Sequence, residues 1–345
     1  MNAIKIAVLW RPRRNTELQE EFTGQTLHDD SRDEALYHCH ALREAGFSAE
    51  LVQWKPDRLD LVLQEINKIK PALVFNASSE EEVSFCEACR IPYVGSGIDL
   101  VPLDKPTRKK IWVYEGIPTP EFVTISNRTQ LNRVRELLAR RGLDFPLFVK
   151  PAKGRGSSGI TEDSIVYDES GLSEAAIRIL QNLRQLVLVE KYIRGREISI
   201  GLIGNGDEIT VLPLLEVGYS DALTNTYAHK MSDKEVLICP VPLPSEQAEN
   251  LRKLAIRAYK ALGARDYGRI DIMLEGDKPY FLELNTFPGL ASPGGEGPGQ
   301  DSAIHVSYMG KMAASLGKPR SWLVGSIVEA ALKRYSGIPK VGYVA

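Results

Sequence analysis

Short apolar strands alternate with amphipathic helices over the first hundred residues, and that alternation constrains the fold more than any other feature. Residues 5–9 read as a buried strand. A helix over 31–45 follows, with Leu36, Cys39, Leu42 and Ala45 at helical spacing and Gly46 as its C-cap. A strand over 49–54, a helix over 59–69 closed by Pro71, a strand over 73–76 and a helix over 80–89 continue the series. Strands joined by helices of this length pair in parallel, and the helices cover both faces of the sheet. An α/β fold with an N-terminal parallel sheet is the expectation.

Beyond Leu103 the pattern changes. A basic helix over 105–115 stops at Gly116, and a strand, a helix over 130–141 and extended segments over 147–150 and 165–167 follow. The last third is strand-rich, with strands over 186–192, 197–203, 209–215, 269–274 and 280–284 and helices over 246–262 and 322–334. At about 150 residues per domain, a chain of 345 residues holds two or three. Lys and Arg total 43 against 45 Asp and Glu, a net charge of −2, which argues against a general nucleic-acid binder. No apolar run nears the roughly 18 residues of a membrane span, and the N-terminus has no signal-peptide character. Four cysteines make no disulfide framework, so a reduced, cytoplasmic protein is expected.

Two strands carry the densest chemistry. Alternation in Arg269-Ile270-Asp271-Ile272-Met273 places Arg269 and Asp271 on one face, and in Phe281-Leu282-Glu283-Leu284-Asn285 it places Glu283 with Asn285. Two carboxylates and an amide oxygen supply the hard donors that Mg²⁺ prefers. An internal Arg269–Asp271–Glu283 ion-pair network is the alternative meaning. The run Gly154-Arg155-Gly156-Ser157-Ser158-Gly159 follows the strand ending at Lys150. A strand, not a helix, is expected after it, so a flap over phosphates fits better than a dinucleotide-binding turn. Glu190-Lys191-Tyr192-Ile193 and Glu197 sit where a strand edge could offer groups to a nucleotide base and ribose.

Together with Tyr93-Val94-Gly95-Ser96-Gly97, Leu103-Asp104-Lys105 and Thr286-x-Pro288-Gly289, these blocks resemble the ATP-grasp superfamily, and within it the D-alanine–D-alanine ligases. The resemblance runs from about Ala72 onward. It implies an α+β ATP-grasp fold: a substrate domain over 1–104, a flap subdomain over 105–190, and a metal and substrate subdomain over 191–345, the last two enclosing ATP. Lys105 and Lys150 would meet the phosphates. Glu190, Tyr192 and Ile193 would hold the adenine and Glu197 the ribose, with Lys191 and Leu282 among the nucleotide contacts. Asp271, Glu283 and Asn285 would bind two Mg²⁺ ions, Mn²⁺ being an alternative. Lys230 would lie on a closing loop, Arg269 and the Gly289 amide would stabilise an oxyanion, and Ser157 would approach the first substrate. A homodimer acting on small amino-acid or peptide substrates, with no nucleic-acid or membrane partner, is implied as well.

The departures from the family lie where substrates bind. Leu9-Trp10-Arg11-Pro12-Arg13-Arg14 replaces a Gly-Gly segment and the glutamate that holds the first amino group. Ala77-Ser78-Ser79-Glu80-Glu81-Glu82 replaces a His-Gly segment, Met231 stands in place of a tyrosine, and the loop over 288–301 is expanded. The leading expectation is therefore an ATP-dependent carboxylate–amine ligase with altered substrate pockets. A genuine D-alanine–D-alanine ligase and a non-catalytic ATP-binding protein are the alternatives. Arg11, Arg13 and Arg14 form either a carboxylate-binding group or a solvated basic turn. His305 and Tyr308 either line a pocket or lie on the surface. Cys86-x-x-Cys89 and His38-Cys39-His40 are read as structural, Cys39 belonging to the apolar stripe of its helix.

Overall fold

The computed structural model describes residues 3–12, 30–154, 159–219, 235–291 and 307–336. β1 (Lys5–Trp10), β2 (Ser48–Gln53) and β3 (Leu73–Phe75) form a parallel sheet in the order β2-β1-β3. Alternation along β1 sends Ile6 and Val8 to one face and Ala7 and Leu9 to the other. The first pair packs with Cys39 and Leu42 of α1 (Asp30–Glu44). The second meets Val62 and Ile66 of α2 (Leu59–Ile69) and Val83 and Cys86 of α3 (Glu80–Ala88). Both faces are covered, as the alternation predicts. Lys70 ends α2 in the left-handed region at φ 52°, and a Ser79/Glu82 capping box starts α3.

α4 (Lys105–Tyr114) opens on Asp104, whose side chain accepts the Thr107 N–H at 2.9 Å, with Pro106 in the first turn. A second sheet, antiparallel and in the order β4-β7-β5-β6, comprises β4 (Phe122–Ile125), β5 (Leu147–Pro151), β6 (Ile165–Val166) and β7 (Val187–Lys191). The helix expected over 130–141 is two short ones, α5 (Arg128–Leu131) and α6 (Val134–Ala139). α7 (Glu169–Arg178) escaped the sequence reading. Its signals are the Asp168 N-cap and the apolar spacing of Leu172, Ala175, Ala176 and Ile179.

β8 (Arg196–Asn205), β9 (Glu208–Val211), β10 (Leu215–Tyr219), β11 (Glu235–Ile238), β12 (Tyr267–Glu275) and β13 (Lys278–Asn285) make the third sheet. Its order is β11-β10-β8-β12-β13, with β9 beside β8. The strand expected over 209–215 is divided, because Pro213 has no N–H to donate to a ladder. On one face α8 (Ser245–Ala261) packs Leu251, Ala255 and Tyr259 against Ile198, Ile270 and Phe281, and Trp112 of α4 enters the same core. On the other lie α9 (Tyr308–Ser315) and α10 (Arg320–Ser336). α10 also covers the parallel sheet, crossing α1 so closely that a Cβ on Gly325 would come within 3.0 Å of Ala45.

A fully buried carboxylate fastens the first and third sheets. Asp266 accepts hydrogen bonds from the Gly95 N–H (2.7 Å), Asn205 Nδ2 (2.8 Å) and both Nε (3.0 Å) and Nη2 (2.7 Å) of Arg334. Among the described residues no helix is long and apolar enough to cross a membrane.

Candidate active site

The second and third sheets flank a cleft that opens to solvent. β5 contributes Phe148 and Lys150, β7 contributes Glu190 and Lys191, and the following link adds Tyr192 and Ile193. From the third sheet come Glu197, Arg269, Asp271, Met273, Leu282 and Glu283. Lys105 enters from α4 and Tyr308 from α9. Asn285 lies in an adjoining cavity that shares Lys105 and Glu283. Gly289 falls just beyond, between buried Pro288 and Leu290. Ser157, Lys230, Arg13, Arg14 and His305 lie outside the described residues.

Strand register assembles the acidic end. Across β12 and β13, Arg269 stands opposite Asn285 and Asp271 opposite Glu283, and a bulge interrupts the ladder just after Asp271. Arg269 grips Asp271 with two hydrogen bonds, Nε to Oδ1 at 2.8 Å and Nη2 to Oδ2 at 2.7 Å. Ser199 Oγ donates to Oδ1 at 2.6 Å and Asn285 Nδ2 to Oδ2 at 2.7 Å. Four donors thus occupy the carboxylate's lone-pair positions. The Tyr308 ring lies over the Arg269 guanidinium at 4.6 Å, and its hydroxyl donates to Glu235 Oε1 at 2.9 Å. Tyr308 therefore lines the cleft, the first of its two sequence readings. Burial disfavours the Arg269 charge, but the Asp271 carboxylate outweighs it and holds the guanidinium above its ordinary pKa.

The basic end is a buried triad that bridges the two sheets. Lys109 of α4 reaches Glu190 Oε1 at 2.7 Å, and Lys150 of β5 reaches Glu190 Oε2 at 2.6 Å. Lys109 Nζ also donates to Thr119 Oγ1 (2.7 Å) and the Phe281 carbonyl (3.1 Å). All three charged residues are buried. Burial pushes Lys109 down to about 8 despite the Glu190 charge. For Glu190, burial acts upward, yet the two ammonium groups prevail and keep it below the usual carboxylate range. Lys150 stays above its ordinary value, burial being outweighed by Glu190 and Glu283. With both Glu190 oxygens ion-paired, its side chain holds the lysines, and only its backbone is left for a base. The sequence reading missed Lys109. Its signal was the four-residue spacing from Lys105, which puts both on one helix face.

Lys105 Nζ donates to the Gly154 carbonyl at 2.8 Å and lies 3.5 Å from Glu283 Oε2. The start of the glycine run is thus tied to the acidic end. After Gly159 come a short 3₁₀ turn and β6, not the helix that a dinucleotide fingerprint requires. Arg11 is paired with Glu81 (2.8 Å) and Glu82 (3.3 Å). Asp271, Glu283 and Asn285 bring the oxygen donors of a hard divalent cation, and Glu283 lies at the cleft wall. Asp271 could join them only if a present donor, such as the Asn285 amide, turned away.

Comparison with known proteins agrees over most of the chain. Residues 111–294 match the family described as D-ala D-ala ligase C-terminus. The D-alanine--D-alanine ligase of Bordetella avium is 33% identical over 300 residues, 84% of this chain and 86% of that protein. A crystal structure of the D-alanine--D-alanine ligase from Bacillus anthracis superposes with a TM-score of 0.71 at 26% identity, covering 97% of this chain and 99% of that one. The structure of that enzyme complexed with ATP gives 0.70 at 22% identity over the same shares.

Proposed function

Since this chain belongs to the D-alanine–D-alanine ligase family and is an ATP-grasp enzyme of the kind that forms a peptide bond, we propose that it joins amino acids or small peptides through an acyl phosphate. The observation that carries this reading is the convergence, in one cleft, of Lys105, Lys150, Arg269 and Glu283 beside the apolar walls Phe148, Met273 and Leu282. Cationic ends suit a triphosphate and apolar walls suit a base.

The acid substrate's carboxylate is a poor electrophile, so it first takes the terminal phosphoryl group of ATP, and the amine then displaces phosphate. Lys150, held by Glu190, and Lys105 stabilise the negative charge of the transferring group. Bound magnesium would neutralise more of that charge from Glu283, Asn285 and, once released, Asp271. Arg269, fixed by Asp271 and Tyr308, and the Gly289 N–H stabilise the oxyanion formed as the amine attacks. Lys230 and Ser157 are proposed for the closing loop and the flap, which keep water from the acyl phosphate. The base lies against Leu282 and the 190–193 segment, with Glu197 near the ribose. Two metal ions, manganese as a substitute, a homodimer, a cytoplasmic location and the division at 104 and 190 complete the proposal.

D-alanine at both positions is the reading that the relatives' names favour. The altered 9–14 and 77–82 segments favour another acid. A screen of amino acids, singly and in pairs, for ADP formation with mass detection of the amide separates the two. An amide product is expected; ATP left intact with every pair would refute the ligase.

A further inference from the structure

β13 is the last strand of the third sheet, with β12 on one side and, among the described residues, no strand on the other. Its outward-facing carbonyls therefore need donors from elsewhere. α4 lies along that edge and supplies them. Lys105, Arg108 and Lys109 share one face of the helix by their spacing. Lys109 Nζ (3.1 Å) and Thr119 Oγ1 (2.8 Å) donate to the Phe281 carbonyl. Arg108 Nη1 donates to the Leu284 carbonyl at 2.8 Å. These two anchor points bracket Glu283, and the Leu284 carbonyl belongs to the peptide plane from which Asn285 departs. The Leu284 side chain is buried with Ile270 and Phe281, so alternation sends its neighbours Glu283 and Asn285 to the opposite face.

The other arm of Arg108 reaches back toward the first sheet. Nη2 donates to the carbonyls of Leu100 (3.1 Å) and Val101 (3.2 Å). Leu100 is buried in the core shared by α8 and the third sheet, and Val101 packs against a core of the parallel sheet. One guanidinium thus ties the junction of those cores to the residue between Glu283 and Asn285. A planar fork of nitrogens can span the two segments, whereas the single nitrogen of a lysine cannot. Arg108 is also a cation near a candidate metal site, and its charge adds to burial in holding Lys105 below its ordinary pKa. Like charges repel, so as a mere charge Arg108 would weaken cation binding. Charge and position therefore predict opposite effects of removing it.

We propose that Arg108 is a positioning residue: by fixing the Leu284 carbonyl against the 100–101 junction, it sets Glu283 and Asn285 for a divalent cation bound with ATP. The inference rests on the metal reading of Glu283 and Asn285 given above, and Glu283→Gln separates the two. A non-hydrolysable ATP analogue is titrated calorimetrically with saturating Mg²⁺ and again in chelator, for the wild type, Arg108→Met, Arg108→Lys and Glu283→Gln. The readout is the gain in affinity that Mg²⁺ confers. That gain should fall about tenfold or more in Arg108→Met, as when a group that orients a metal ligand is lost. Arg108→Lys keeps the charge and preserves the test if Arg108→Met fails to fold, and its gain should fall as well. A gain unchanged or larger in Arg108→Met, or fully kept in Arg108→Lys, but lost in Glu283→Gln, overturns the positioning role and leaves the metal assignment standing. No gain in the wild type, or a gain that survives Glu283→Gln, overturns both.

Discussion

Glu190 is the residue on which the basic end of the cleft depends, since it pairs directly with two buried lysines. Replacing one partner of a buried ion pair strands the other. Glu190→Gln should therefore destabilise the protein by about 3–5 kcal/mol in urea unfolding. Lys109→Met added to it should restore part of that loss, because one stranded charge is gone. Lys109 also sets a pH dependence. Its pKa is pushed down to about 8, so raising the pH through that value removes one positive charge from the triad. Affinity for a non-hydrolysable ATP analogue should fall between pH 7 and 9, and Lys109→Met should flatten that fall. For folding the sign is opposite: above pH 8 the unfolded chain holds more protons at this position, so the cost of burying this charge is relieved as the pH rises from about 8 toward the ordinary lysine value. The polar positions on β12 and β13 were legible because alternation alone places charges on one strand face. Lys109 was not, because a lysine in a basic helix reads as solvated until the opposite sheet is known to cover it.

Among the elements, α10 has the widest reach, covering the parallel sheet and the third sheet at once. Its Arg334 holds Asp266, which is 0% exposed and also anchors the Gly95 N–H. Arg334→Ala should cost about 3–5 kcal/mol by leaving that carboxylate underpaired. On the proposed ligase reading, it should also raise the KM for the acid substrate. An unfolding curve and a KM measurement, both unchanged, would show that the staple is dispensable. Elements with a strong period, such as β1, α2 and α8, were legible nearly to the residue. α7 and α9 were not: each is short and rich in small residues, so packing decides it more than pattern. The division of β9 from β10 needed Pro213 to be weighed against an otherwise continuous apolar run.

For the whole molecule, a net charge of −2 conceals a cleft of opposed charges, Lys109 and Lys150 on Glu190, Lys105 beside Glu283 and Arg269 on Asp271. Cations set beside carboxylates in this way suit a reaction in which a phosphoryl group crosses from a nucleotide to a carboxylate. The architecture was legible in outline from strand–helix alternation and the strand-rich last third. The meeting of the three sheets was not, since it rests on long-range contacts such as Asp266–Gly95. The central claim is that the acid's own oxygen attacks phosphorus, and heavy-oxygen labelling of the acid substrate's carboxylate tests it most directly. If an acyl phosphate forms, the inorganic phosphate released during turnover carries the label. Unlabelled phosphate, with the amide product still formed, would contradict the mechanism.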